Sequence, residues 1–170
     1  IKLGEKNKEE AGKILGTSFL MLLIGALITM TFGLYFITPI VKFFGADRNI
    51  LPEAETYISI LFLGSIFQYV SFGLCHFIRA DGYPRIAMIT MFSGAIANIF
   101  FDYLFINVFK WGMLGAGLAT SFAQSISFFI AISHFIGKNC TIPLKISNIT
   151  LNFNRIKNIV SFGIPTGSIQ

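Results

Sequence analysis

Four apolar runs, each long enough to cross a bilayer, decide what this chain can fold into. They are Ile14–Ile37, Ala54–Ile78, Ile86–Phe109 and Gly112–Ile136. A transmembrane helix needs about 20 mostly apolar residues, and each run supplies them. Of the 170 residues, 54% are hydrophobic and 12% charged, where a soluble domain carries about 25% charged residues. No stretch between the runs could form a soluble core of its own. The expected fold class is therefore all-α: a polytopic transmembrane helix bundle, built as one unit. The first run is too long for a signal peptide, follows a charged segment and lacks a small-residue cleavage site.

Residues 1–136 hold the four spans, and residues 137–170 read as a polar linker followed by a new apolar stretch from about Ile159. The chain opens on Ile1 and reaches Gln170 as that fifth stretch starts, so it is expected to be a piece of a longer protein. Gly4–Lys13 forms a polar approach to the first span, which is expected to end near Pro39. Gly45-Ala46-Asp47-Arg48 makes a turn, and Glu53 and Glu55 open the second span where acids can stay hydrated. Gly82 and Pro84 mark a turn between the second and third spans. The third and fourth are joined only by the residues around Lys110-Trp111-Gly112, which forces an antiparallel helical hairpin with Trp111 at the membrane interface. Leu151–Phe162 alternates apolar residues with Asn, Arg and Lys; it is either an amphipathic helix lying on the inner leaflet or an ordinary linker. A bend at Gly163-Ile164-Pro165 would follow.

The net charge of +5 orients the protein rather than recruiting nucleic acid. Lys2, Lys6, Lys8, Lys13, Arg79, Arg85, Lys138, Lys145, Arg155 and Lys157 fall on one side of the membrane; Lys42, Arg48 and Lys110 fall on the other. The positive-inside rule makes the richer side cytoplasmic. Localisation in the plasma (inner) membrane, multi-pass, is the expectation. Cys75 lies in a span and Cys140 on the cytoplasmic side, so no disulfide is expected, and no Cys/His spacing matches a metal site. The sequons at Asn139 and Asn148 fall where glycosylation would not occur.

Asp102 is the only carboxylate deep in an apolar run. An ionised group at membrane depth costs roughly 2.5–3.5 kcal/mol on insertion scales. Asn98 lies one helical turn before it on the same face. Either the pair forms a cation or proton site, or Asp102 sits hydrated near the outer surface. If the hairpin folds at Trp111, Asp102 and Thr120 are each about 13 Å from the turn, and Asn98 and Gln124 about 20 Å. Gly117, Thr120, Gln124 and Ser127 form a stripe on the fourth span, Gly94, Asn98 and Asp102 one on the third. Gly64, Gln68, Ser71, Cys75 and Arg79 form a stripe on the second. Three such stripes suggest a bundle around a hydrated cavity, although small residues also serve close helix packing. His76 reads as an interfacial or packing residue. Some of the 20 phenylalanines face lipid, and others could line a cavity for lipophilic cations.

The ordered set of motifs resembles one family. Ile78-Arg79-Ala80-Asp81-Gly82-Tyr83-Pro84-Arg85 is similar to the cytoplasmic turn after the fourth span of multidrug and toxic compound extrusion (MATE) transporters. Asn98-Ile99-Phe100-Phe101-Asp102 resembles their fifth span and Gly115-Ala116-Gly117-Leu118-Ala119-Thr120 their sixth. Leu3-Gly4 with Lys6–Ala11 resembles the entry to the third, and Gly163-Ile164-Pro165 the start of the seventh. The resemblance implies spans three to six of the amino-terminal lobe of a twelve-helix transporter, exporting organic cations against inward Na+ or H+. It also implies a cation site, for H+ or Na+, at Asn98, Asp102 and Thr120. A further Asp on the family's first helix is not in this chain, and Cys75-His76 stand where relatives often carry Asn.

The expected function is thus a secondary active antiporter with lipophilic or cationic small-molecule cargo and no cofactor beyond the coupling ion. Its partners are the bilayer and the remaining helices of the full-length chain. Gln124, Gln68 and Ser127 are candidates to line the cavity. A lipid-linked precursor or polysaccharide flippase of the same superfamily is the alternative, but such proteins use basic residues for pyrophosphate, and no Lys or Arg lies mid-span. A purely structural bundle is the lower alternative. An intramembrane enzyme is not expected: Ser93-Gly94 lacks the leading Gly of a serine-protease motif, and an aspartyl protease needs two acids.

Overall fold

The computed structural model describes residues 8–137, 140–142, 144, 148–150, 155–157 and 159. The element order is α1 (Lys8–Tyr35), α2 (Ile37–Phe43), α3 (Leu51–Ala80), α4 (Pro84–Asp102), a π-helical turn (Tyr103–Val108) and α5 (Gly112–Ile136). Among the described residues, four segments are long and apolar enough to cross a membrane: α1, α3, α4 with its π turn, and α5. Glu9 and Glu10 in the first turn of α1 favour helix initiation through the macrodipole. Pro52 and Pro84 open α3 and α4, where a missing N–H costs nothing. At the other end of α3, Gly82 takes φ +90°, a conformation that lets the chain reverse into Pro84.

One boundary differs from the sequence reading. The expected polar approach Gly4–Lys13 is helical from Lys8 onward, because Lys8–Ala11 are good helix formers and the single Gly12 costs only about 1 kcal/mol. The first span ends at Tyr35, near Pro39 as expected, and the short α2 follows at once. Backbone bonds from Phe36 to Phe32 and from Ile40 to Phe36, each 3.0 Å, carry the helix on into α2. Pro39 sits in the first turn of α2, where its nitrogen owes no bond.

α5 packs lengthwise along α3, and the two run parallel; α1 and α4 run the opposite way. Close backbone approach sets these contacts. A β-carbon at Gly64 would lie 2.4 Å from Ser121 Oγ, and one at Gly33 2.2 Å from the Phe62 ring. Ser121 Oγ donates to the Ile60 carbonyl at 3.1 Å. The largest buried cluster lies toward the end of the bundle that carries the α3–α4 turn, here the Arg79 end. It joins Leu15 of α1, Val70, Leu74 and Ile78 of α3, Ala87 of α4 and Phe135 of α5.

The chain beyond α5 is tied to that end. Ile142 is buried in the same cluster, the Leu144 N–H donates to the Phe135 carbonyl at 3.1 Å, and Thr17 Oγ1 donates to the Thr150 carbonyl at 3.1 Å. Asn148 lies in a groove made by two glycines of α1: a β-carbon at Gly16 would be 2.3 Å from its carbonyl oxygen. Of the predicted amphipathic segment Leu151–Phe162, residues 155–157 and 159 are helical. The rest of it, the bend at Gly163–Pro165 and the motif Leu3-Gly4 lie outside the described residues.

Candidate functional site

The α4–α5 hairpin folds in a register different from the simple expectation. Asn98, not Asp102, stands opposite Thr120: its Nδ2 donates to Thr120 Oγ1 at 3.4 Å. Two turns farther along, Ser127 Oγ donates to the Thr90 carbonyl at 3.3 Å, and Gly94 makes room for that hydroxyl. Equal counting from Trp111 fails for two reasons. The turn occupies Phe109–Trp111, before Gly112 starts α5, and Lys110 adopts φ +56° there. The π-helical turn over Tyr103–Val108 then takes up extra residues for a given length, since its bonds span five residues instead of four. Stacking of Phe105 on Trp111 at 5.3 Å and on Phe101 at 5.5 Å braces this turn.

The three polar stripes converge in part. A cavity of about 290 Å³ lies between α3, α4 and α5, lined by Gln68, Ser71 and Cys75, by Gly94 and Asn98, and by Thr120, Gln124 and Ser127. Phe72 and Met91 complete it with apolar surface, and both are largely exposed. The remaining stripe members serve elsewhere. Gly64 and Gly117 admit Ser121 and Ile60 as close packing neighbours, and Arg79 reaches Met91 Sδ at 3.2 Å. His76 is exposed and edge-on to Phe72.

Asp102 closes α4, one turn from Asn98 toward the Trp111 end and next to the π turn. It is half-buried and is not among the residues that line the cavity. The lining is neutral: amides, hydroxyls, a thiol and a thioether, without Lys, Arg, Asp or Glu. Thr120 Oγ1 donates its proton to the Ala116 carbonyl at 3.1 Å and accepts from Asn98 with one lone pair, which leaves a second lone pair to accept. Asn98 and Thr120 thus present hard oxygen donors one helical turn from Asp102.

One buried pair escaped the sequence reading. His134 Nε2 lies 3.2 Å from Asp81 Oδ2, with side chains 3% and 1% exposed. The Thr141 N–H also donates to Asp81 Oδ2, at 3.1 Å. Tyr83 meets the His134 ring edge-on at 5.0 Å. The pairing follows from topology: parallel α3 and α5 end at the same face, so a polar residue just past one meets a polar residue in the last turn of the other. His134 was the available signal, as a titratable side chain late in an otherwise apolar run.

Among the described residues, four helices of membrane-crossing length, three of them around a neutral polar cavity, define a polytopic helix bundle. The sequence pattern of the MatE family matches residues 2–104, and the chain belongs to that family. Multidrug export protein MepA of Staphylococcus aureus (strain bovine RF122 / ET3-1) is 29% identical over 139 residues, 82% of this chain and 31% of that protein. MepA of Staphylococcus haemolyticus (strain JCSC1435) is 29% identical over 163 residues, 96% of this chain and 36% of its own. A multidrug resistance MATE family transporter of the MOP superfamily, solved inward-facing, superposes with a TM-score of 0.89 at 22% identity, covering 96% of this chain and 38% of that one. A MOP superfamily transporter from Pyrococcus furiosus Vc1 (DSM3638), whose reversed binding-pocket polarity suggests a different function, gives 0.85 at 24% identity, covering 96% and 36%. The chain thus spans 31% to 38% of the length of these proteins.

Proposed function

We propose that this chain is the cavity-bearing part of a secondary active multidrug efflux antiporter, which exports organic, cationic compounds in exchange for inward H+ or Na+. The observation that carries the reading is the neutral polar cavity, with Asn98 bonded to Thr120 in its wall and half-buried Asp102 one turn away. A carboxylate at membrane depth prefers to be neutral or compensated by a cation. Loading Asp102 with a proton or with Na+, together with Asn98 and Thr120 oxygens, removes a charge where α4 meets its π turn. Cargo in the cavity and ion at Asp102 then need not touch, provided each binds one conformation better. Gln68, Gln124 and Ser127 supply hydrogen bonds to cargo, while Phe72 and Met91 supply apolar and polarisable contact.

Absence of basic side chains from the lining argues for cationic or neutral cargo over the pyrophosphate carried by flippases. The Arg79 end is cytoplasmic in this reading, and the membrane is the plasma membrane. The names of the MepA relatives support the drug-export assignment. The test is dye efflux from sealed vesicles carrying the protein from its full-length gene, wild type beside Asp102→Asn, under imposed H+ or Na+ gradients. Efflux driven by one gradient and lost in the variant, with dye binding retained, supports the reading. A variant that exports like wild type sinks the role of Asp102.

A further inference from the structure

The Asp81–His134 pair has a cost that plain packing does not explain. Both side chains are almost fully buried, and Asp81 Oδ1 is buried without a hydrogen-bond partner among the described residues. Apolar residues of similar volume at these positions would commonly be as stable or more so. A buried, half-satisfied carboxylate calls for a role beyond filling space.

Its partners indicate that role. Asp81 follows α3, His134 lies in the last turn of α5, and the Thr141 N–H comes from the chain beyond α5. One carboxylate oxygen therefore gathers three separate pieces of the molecule. Beyond Thr141 the same segment lies against α1, with Asn148 against Gly16 and Thr150 bonded to Thr17. Residues 140–142 and 144 thus lie at the α5 side of the Arg79 end and residues 148–150 at the α1 side, and these described residues are the strap, fastened at each side.

We propose that Asp81 and His134 form a clasp that positions this strap across the Arg79 end of the bundle, and that its release and re-fastening set the rate at which the transporter changes state. Asp81 and His134 are positioning residues: neither lines the cavity. The second half of the proposal rests on the antiport reading; the first does not. Neighbouring Cys140 supplies a natural reporter. Its thiol lies 3.3 Å from the Gly137 carbonyl, and its pKa is raised, first by burial and then by the negative charge of Asp81, against a lowering backbone hydrogen bond. Opening the clasp removes both raising causes, so Cys140 should then alkylate faster.

The experiment measures maleimide alkylation of Cys140 in permeabilised membranes, with Cys140→Ser as the blank. Wild type is compared with Asp81→Ala, His134→Ala, the double variant and Thr141→Pro, each in the protein from its full-length gene. Thr141→Pro removes the strap's amide donor while leaving both helices unchanged, and so covers the case in which a helix variant fails to fold. Dye efflux and dye binding are followed in parallel. Each single variant should speed alkylation about ten- to hundredfold, as loss of a charged hydrogen bond implies. The double should add little to the larger single, because the two residues act as one unit. Maximal efflux should change while dye affinity stays at its wild-type value. Wild-type alkylation rates in every folded variant overturn the clasp, and wild-type efflux with fast alkylation overturns its role in the cycle. A wild-type protein that exports nothing, beside variants that still expose Cys140, would sink the antiport reading and leave the clasp standing.

Discussion

Two aspartates lie at opposite ends of α4, and the structure treats them in opposite ways. Asp102, at the far end, is half-buried beside a weak 3.4 Å amide–hydroxyl contact and a cavity of neutral side chains. Asp81, in the turn just before α4, is 1% exposed, faces a histidine and accepts a backbone N–H. The buried apolar cluster, with Val70, Leu74 and Ile78 fully shielded, lies toward the same end of the bundle as Asp81. Around the cavity, side chains have room. The lesson concerns reading charge in membrane proteins. Sequence depth marks where a charge is expensive, whereas partners and packing decide whether it is fixed in place or free to bind something.

The sharpest way to break this contrast is His134→Ala. It strands the Asp81 carboxylate in a dry site, and loss of one partner of a buried pair costs about 3–5 kcal/mol. A large fall in thermal-unfolding midpoint is expected in detergent, against a small one for Asp102→Asn. Equal shifts for the two would erase the distinction between a fixed and a free acid.

Next in size is the transport effect at the open site. Asn98→Ala and Thr120→Val should lower the coupling between ion and cargo by about 1–3 kcal/mol, roughly 5–150-fold in the ion's effect on dye affinity. Their melting temperatures should stay near wild type. Dye-binding titrations with and without the coupling ion check this, and unchanged coupling would remove both residues from the ion site.

A smaller effect should separate two glycines of one helix. Gly16→Ala drives a methyl into the Asn148 carbonyl, and such overpacking costs about 1–3 kcal/mol. Gly25→Ala meets nothing within 4 Å and should gain up to about 1 kcal/mol from helix propensity. Opposite signs in denaturant titration are the expected result; matching signs would mean that the strap gives way to the methyl. The smallest effect is a displacement of Cys140 reactivity with pH. Because its pKa is raised, less thiolate is present at a given pH, so its alkylation should climb at higher pH than that of an unhindered thiol.

The spans were legible because membrane length is written directly in apolar run length, and α5 occupies Gly112–Ile136 as expected. Convergence of Gln68, Asn98, Thr120, Gln124 and Ser127 was legible from their helical spacing. The hairpin register was not, because counting assumed uniform α-helix and a π turn leaves no obvious mark in Tyr103–Val108. The His134–Asp81 pair was hidden by its separation of 53 positions, and only the parallel arrangement of α3 and α5 brings the two together.

The π-helical turn also gives the hairpin a spare residue. Removing one residue from Tyr103–Val108 would let the bonding relax to the ordinary α pattern while Asn98 kept its place opposite Thr120. Added or lost length at that tip can be absorbed locally, so the cavity wall is insulated from changes in the loop that joins its two helices.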